Sequence, residues 1–189
     1  MRILTKEEFL NYGPAIIEHL KKSIFIYPTD TIYGIGCDAM NESLIRKIRY
    51  LKKRFDMPFS VIAPSKEWIR ENCLINKKAE VWIKKLPGPY TLIFSIKNKE
   101  SIAKNVNLGM DTIGIRIPNN WFSEQVSKIG IPIITTSANI SGNDFMTSLD
   151  DLDSEISNHV DYVIEEGIIK GKPSTLVFLN KKKVELKKR

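Results

Sequence analysis

Histidine is nearly absent: His19 and His159 are the only two in 189 residues. Neither stands near a serine or cysteine in a nucleophile motif, so any chemistry here must run largely without imidazole. Cysteine is equally scarce. Cys37 and Cys73 lie far apart, with no histidine at metal-ligand spacing, which supports neither a zinc site nor a disulfide framework. No apolar run approaches the roughly 20 residues of a membrane span. The longest are short pieces such as "SIFIY" and "YTLIFSI", and the N-terminus "MRILTKEEF" turns acidic too soon for a secretory signal. A cytoplasmic protein is expected. No Ser/Gly/Pro-rich linker, internal repeat or Walker A sequence is present.

What is there is charge. The net charge is +7 and the pI near 9.3, an excess concentrated in "RKIRYLKKR" and "KKKVELKKR". It favours an anionic partner without saying which, and a solvated basic surface is the plain alternative. The length fits one domain over residues 1–189, large enough to bury its own core.

Periodicity and punctuation alternate helix with strand. Thr5 and Glu8 form a capping box, and Gly13-Pro14 breaks the first helix and restarts it before "AIIEHLKK". "SIFIY" reads as a short buried strand. Asn41 caps a helix whose Leu44, Ile45, Ile48 and Leu51 share one face, while Arg46, Lys47, Arg49 and Lys53 point elsewhere. "FSVIA" is a strand, Ser65 caps a short helix, and "KKAEVWIKKL" is a helix stopped by Pro87-Gly88-Pro89. Then follow "YTLIFSI", "TIGIRIP", a helix near "NWFSEQVSKI", "IPIITT", a helix from about Ser148, "VDYVIE", "STLVFL" and a final "VEL" strand. This predicts an α/β layered domain with a mixed sheet.

Four stretches carry more polar chemistry than turns need. "YPTDTIYGIG" leaves a strand through Pro28, two hydroxyls and two glycines. Gly34-x-Gly36-x-x-Ala39 formally matches a dinucleotide fingerprint, but the strand ends near Tyr27 and the next cap is Asn41, so the strand-turn-helix context is wrong. The stretch reads instead as a binding loop, with Thr29 and Thr31 either offering hydroxyls to a ligand or capping their own turn. Lys52 and Arg54 end the basic helix just before a strand. In "TIGIRIP" the isoleucines share one strand face, which puts Arg116 on the other beside Gly114, where it needs an anion or a carboxylate. "TTSANISG" packs hydroxyls, an amide and a glycine at a strand's carboxyl end, as an anion-cradling loop would.

Taken together, "PTDTIYGIG", "KKR" with Pro58, "LPGPYTLI", "GIRIP", "ITTSANISG" and "KPSTLV" resemble the YrdC/Sua5 family in order and spacing, from Tyr27 to Phe178. The resemblance implies a YrdC/RibB-like three-layer α/β/α domain with a twisted mixed sheet of about seven strands. It resembles the single-domain members, without the C-terminal domain of the longer ones. It also implies a nucleotidyltransferase reaction: L-threonine, bicarbonate and ATP give threonylcarbamoyl-adenylate and pyrophosphate, the first step of tRNA threonylcarbamoyladenosine formation. ATP with Mg2+ is the implied nucleotide, with the metal held mainly by phosphates. A tRNA threonylcarbamoyl-transferase complex is the implied recipient, with weak tRNA contact through the basic surface.

Carried over by motif, Lys52, Arg54, Ser137 and Asn139 match the catalytic set around the ATP phosphates, and Thr112 a further nucleotide contact. Thr31, Arg116, Thr135 and Ser174 match the threonine pocket. Phe55 stands where members usually have proline, and "SVIAPS" lacks a histidine that longer members carry. The late arginine that closes the nucleotide site would correspond to Lys188 or Arg189. Two other readings share the fold: an RNA-binding module without adenylate synthesis, and a carbamoyl-transfer domain like those of hydrogenase-maturation proteins. The second normally comes fused to acylphosphatase and zinc-finger segments, which this sequence lacks.

Overall fold

The computed structural model describes residues 1–188. The expected local signals operate where the sequence puts them. Strand β1 (Arg2–Thr5) runs into α1 (Lys6–Tyr12), whose N-cap Thr5 exchanges both capping-box bonds with Glu8. Gly13 then separates α1 from α2 (Pro14–Leu20), which starts on proline. Asn41 caps α3 (Glu42–Leu51), Ser65 caps α4 (Lys66–Asn72), Asn76 caps α5 (Lys77–Lys84) and Asn120 caps α7 (Trp121–Ile129). Between the last two lies the short α6 (Lys104–Asn107). The helix expected from about Ser148 is instead a 3-10 turn, Leu149–Asp151, followed by α8 (Ser154–Ser157). Asp151 closes a capping box on Ser148 at the start of this turn, and its carboxylate also accepts from Thr147 N and Thr147 Oγ1.

The remaining strands are β2 (Phe25–Tyr27), β3 (Gly34–Gly36), β4 (Ser60–Ile62), β5 (Tyr90–Ser95), β6 (Thr112–Arg116), β7 (Ile133–Ser137), β8 (Tyr162–Glu165), β9 (Thr175–Phe178) and β10 (Glu185–Lys187). They form one mixed sheet in the order β1-β8-β2-β3-β7-β4-β6-β5-β9-β10. The sheet has ten strands rather than about seven. Beyond the eight strand-like stretches of the sequence, the additions are two and short: β1, which the capping-box reading passes over, and β3, which the sequence presents as loop.

Alternation along the strands decides the layers. Phe25 and Tyr27, Ile62, Ile133 and Ile164 point to one face and pack on Phe9, Ile16, Leu20, Phe122 and Val126 of α1, α2 and α7. Their neighbours Ile26, Val61, Ile134 and Val163 point to the other and pack with Ile45, Ile48, Ile69, Ile83 and Ile156 of α3, α4, α5 and α8. This is an α/β/α sandwich, and one half of it is incomplete. The first cluster contains no residue of β5, β6 or β9, so among the described residues no helix buries an apolar face against that part of the sheet, the face that carries Arg116. No helix among the described residues is long and apolar enough to cross a membrane.

The glycines of "YGIG" find their reason in this sheet. The ring of Tyr27 lies over both of them, and a Cβ on Gly36 would also sit 2.1 Å from the Ile134 carbonyl oxygen. The pair is a packing surface inside β3 rather than a hinge for loop closure. Gly36→Ala is expected to cost about 1–3 kcal/mol or more, the range for overpacking a close-packed core. Urea unfolding measures it, and a loss under about 0.5 kcal/mol would mean that β3 and β7 can part without penalty.

Candidate functional site

The uncovered face of the sheet holds a cavity of about 230 Å3. Thr31, Arg54, Arg116, Thr135, Ser137 and Ser174 all line it, from five separate stretches of the chain. Register explains the convergence. Ser60 on β4 pairs with Thr135 on β7 and with Gly114 on β6, which puts the polar ends of three strands side by side. The segment before β9 forms a further wall. Gly171 packs so tightly on the "TDT" loop that a Cβ there would lie 1.7 Å from Thr31 O, and Ser174 Oγ shares a 2.7 Å hydrogen bond with Thr91 Oγ1.

The loop's two threonines divide the roles that the sequence leaves open. Thr29 Oγ1 donates to Ile32 O at 2.7 Å and accepts from the Thr31 amide, so Thr29 caps its own turn. Thr31 Oγ1 accepts from Arg116 Nη2 at 3.1 Å. That guanidinium is only 6% exposed and also donates to Asp30 Oδ1 at 2.8 Å, while Asp30 Oδ2 accepts from the Asn119 amide. Asp30 therefore fixes Arg116 and ties the exit of β6 to the loop. Arg116 still has capacity: its Nε is buried with no hydrogen-bond partner. Burial lowers its pKa, with Asp30 opposing, so the charge gains from a further anion.

Arg54 reaches the same cavity from the α3–β4 connection. Lys53 takes the left-handed conformation with φ 50°, ending α3 and turning the chain back. Arg54 Nη2 then donates to Pro58 O at 2.9 Å and Nη1 to Thr136 Oγ1 at 3.4 Å, and Nε is again buried without a partner. Burial lowers the Arg54 pKa as well. Among the described residues lining the cavity there is no carboxylate. Two incompletely satisfied guanidiniums and a ring of hydroxyls give it the chemistry to take a small polar anion.

The other predicted residues are placed differently. Lys52 lines no part of the cavity. It is 1% exposed, and its Nζ donates to Ser137 O at 2.6 Å and to Asn139 O and Oδ1, bracing the end of α3 against the "SAN" loop. Asn139 accepts from Ser137 Oγ and donates to Asn143 O. It borders a second hollow of about 540 Å3, which meets the first at Phe145. Thr112 lies on the same sheet face as Arg116 but four residues along β6, about 13 Å away at the rise of a strand, and borders neither hollow. Lys188 is exposed just past β10, and Arg189 lies outside the described residues.

Sequence reasoning gave no role to Asp30, Thr91 or Arg49. Asp30 carries a signal, a carboxylate between two threonines, but naming its partner requires knowing that β6 ends beside the loop. Arg49 is the larger miss, because it is buried rather than on the solvated helix face.

Burial, and next the Arg54 charge, lowers the Lys52 pKa from 10.5 to about 7. A lysine whose folded pKa lies below its unfolded value burdens the fold while both states are charged. That burden is relieved as pH rises from about 7 towards lysine's ordinary range. Thermal unfolding between about pH 6 and about pH 9 should therefore show wild type gaining on Lys52→Met as pH rises. Parallel curves would place the ammonium in a site that solvates it fully.

Known proteins resemble this chain over nearly its whole length. Residues 19–189 match the Sua5/YciO/YrdC family, whose description reads "Telomere recombination". A Methanocaldococcus jannaschii protein, provisionally named a threonylcarbamoyl-AMP synthase, is 40% identical over 177 residues, 89% of this chain and 83% of that one. A variant of P. abyssi Sua5 superposes with a TM-score of 0.88 at 26% identity over 98% of this chain, which spans 56% of that longer protein. E. coli YciO shares the fold at a TM-score of 0.83 and 20% identity, covering 100% of this chain and 94% of its own. With its fold, its ordered motifs and nearly its whole length matched, this chain belongs to the Sua5/YciO/YrdC family.

Proposed function

We propose that this protein is a threonylcarbamoyl-AMP synthase acting in the cytoplasm. The observation that carries the reading is the cavity itself, where Arg116 is half-committed to Asp30 and Arg54 stands with an unpaired Nε among hydroxyls. L-Threonine has the matching shape: a carboxylate for the Arg116 fork and a hydroxyl for the Thr31, Thr135 and Ser174 ring. The M. jannaschii relative bears the synthase name, and P. abyssi Sua5 has been solved with L-threonine bound.

The reaction joins the threonine amine to bicarbonate with loss of water, giving a carbamate. A carbamate oxygen then attacks the α-phosphorus of ATP, the bond to the β-phosphate oxygen breaks, and pyrophosphate leaves. Such a step asks for alignment and charge neutralisation more than for proton transfer, which suits a site without histidine. Arg54 would face the phosphates, with Ser137 and Asn139 on the "SAN" loop beside it and Lys52 holding that loop from behind. Thr112 would be met by the far end of the nucleotide along β6. Magnesium would arrive with ATP, held mainly by its phosphates; among the described residues no group of three or more His, Cys, Asp or Glu side chains could hold a metal. The labile adenylate would pass to a tRNA threonylcarbamoyl-transferase complex.

The test is pyrophosphate release from purified protein with MgATP and bicarbonate, with and without L-threonine. Release that depends on threonine is expected. Release indifferent to threonine, or none from folded protein, would sink the synthase and leave the RNA-binding reading, which salt-dependent binding of a tRNA hairpin would then test.

A further inference from the structure

Arg49 sits in the last turn of α3, 5% exposed, and among the described residues it forms no ion pair with a carboxylate. All five of its N–H groups are spent on main-chain carbonyls. Nε and Nη2 donate to Asn105 O at 3.0 and 2.7 Å, and Nη2 also to Val106 O at 3.0 Å. Nη1 donates to Arg54 O at 3.0 Å and Met57 O at 2.9 Å. The guanidinium lies 4.4 Å from the centre of the Phe59 ring, a cavity-lining ring that Arg54 approaches at 5.5 Å. The main chain closes the same loop, since the Arg54 amide donates to Arg49 O and the Phe59 amide to Val106 O.

A buried cation without an ion-pair partner among the described residues is costly unless its donors are satisfied, as these are by carbonyls. Here they gather the carbonyls of residues 54 and 57 against those of 105 and 106. We propose that Arg49 is a positioning residue, whose guanidinium clamps the 54–57 loop onto α6 and so aims Arg54 into the cavity. A lysine could supply the charge but not this reach, because one ammonium has three donors in a compact cluster where the guanidinium has five in a plane. The inference rests on the proposed function only in taking Arg54 as the group that meets the nucleotide.

The experiment uses full-length Arg49→Lys, Arg54→Ala and the double variant, with ATP affinity measured by calorimetry and amide hydrogen exchange followed at Arg54 and Phe59. Arg49→Lys is expected to weaken ATP binding about tenfold in the wild-type background and less than about twofold when Arg54 is already alanine, the non-additivity of residues acting through one group. Exchange at Arg54 and Phe59 should quicken while that at Ile45 stays as in wild type. An equal loss in both backgrounds, or a lowered unfolding temperature with ATP affinity unchanged, would overturn the proposal. If Arg54→Ala leaves ATP affinity untouched, the assignment of Arg54 to the phosphates falls and exchange alone decides. Faster exchange in Arg49→Lys then upholds the clamp, and unchanged exchange overturns it.

Discussion

Arg54→Ala should lower threonine-dependent pyrophosphate release by at least about a hundredfold, the range for removing one preorganised charge that faces a transition state. The guanidinium is only partly committed within the protein, to Pro58 O and Thr136 Oγ1, and its Nε has no partner. The groups left behind are a carbonyl and a hydroxyl beside a cavity, where water can replace the arginine, so the unfolding temperature should move little. A loss of activity with an intact fold is thus the expected signature. Arg54→Lys separates charge from shape: recovery of a small part of the rate would show that the planar fork matters as well as the positive charge. Turnover close to wild type in Arg54→Ala would remove this residue from the site.

Arg116 is expected to behave differently, because it has a partner to abandon. Its ion pair with Asp30 is 2.8 Å long, with the two side chains 7% and 10% exposed. Arg116→Ala would leave Asp30 in place without its cation, and breaking a buried pair in this way costs about 3–5 kcal/mol. Failure of that variant to fold would say nothing about threonine, so Arg116→Lys is the informative change. It keeps a positive charge for Asp30 and gives up the fork that could hold Asp30 and a ligand carboxylate together. The threonine KM should rise at least about tenfold while the ATP KM stays within about twofold, a split that assigns the residue to ground-state binding of one substrate. An unchanged threonine KM would contradict the carboxylate role.

The two arginines also illustrate what a linear reading can and cannot reach. An arginine in the middle of "TIGIRIP", on the face opposite three isoleucines, advertises an ionic partner. Of the two partners weighed for it, a carboxylate and a ligand anion, the structure shows the carboxylate, Asp30, and leaves Nε unpaired, so the first does not exclude the second. For α3 the same style of reading separates a hydrophobic face from a basic one and is right about Leu44, Ile45, Ile48 and Leu51. It misplaces Arg49, because helical periodicity cannot tell a solvated basic face from one that a later segment covers. Arg49 is covered by residues 54–57 and 105–106, and Lys52 by the "SAN" loop.

Caps, turns and strand alternation act over a few residues, and for most of these, though not for β1, β3 or the turn after Ser148, the sequence by itself was sufficient. Thr5, Asn41 and Ser65 cap the helices they were expected to cap, and the ordered motifs name the family before any fold is seen. The site depends on contacts between residues far apart in the chain. Arg116 meets Asp30 across 86 positions and Lys52 meets Ser137 across 85. Which strands lie side by side, and which half of the sheet is left without a helix, is settled by how the whole chain buries its apolar surface. Only the tertiary structure could therefore decide that Asp30 holds Arg116, that Lys52 stands behind the loop rather than in the cavity, and that the glycines of "YGIG" make room for a ring.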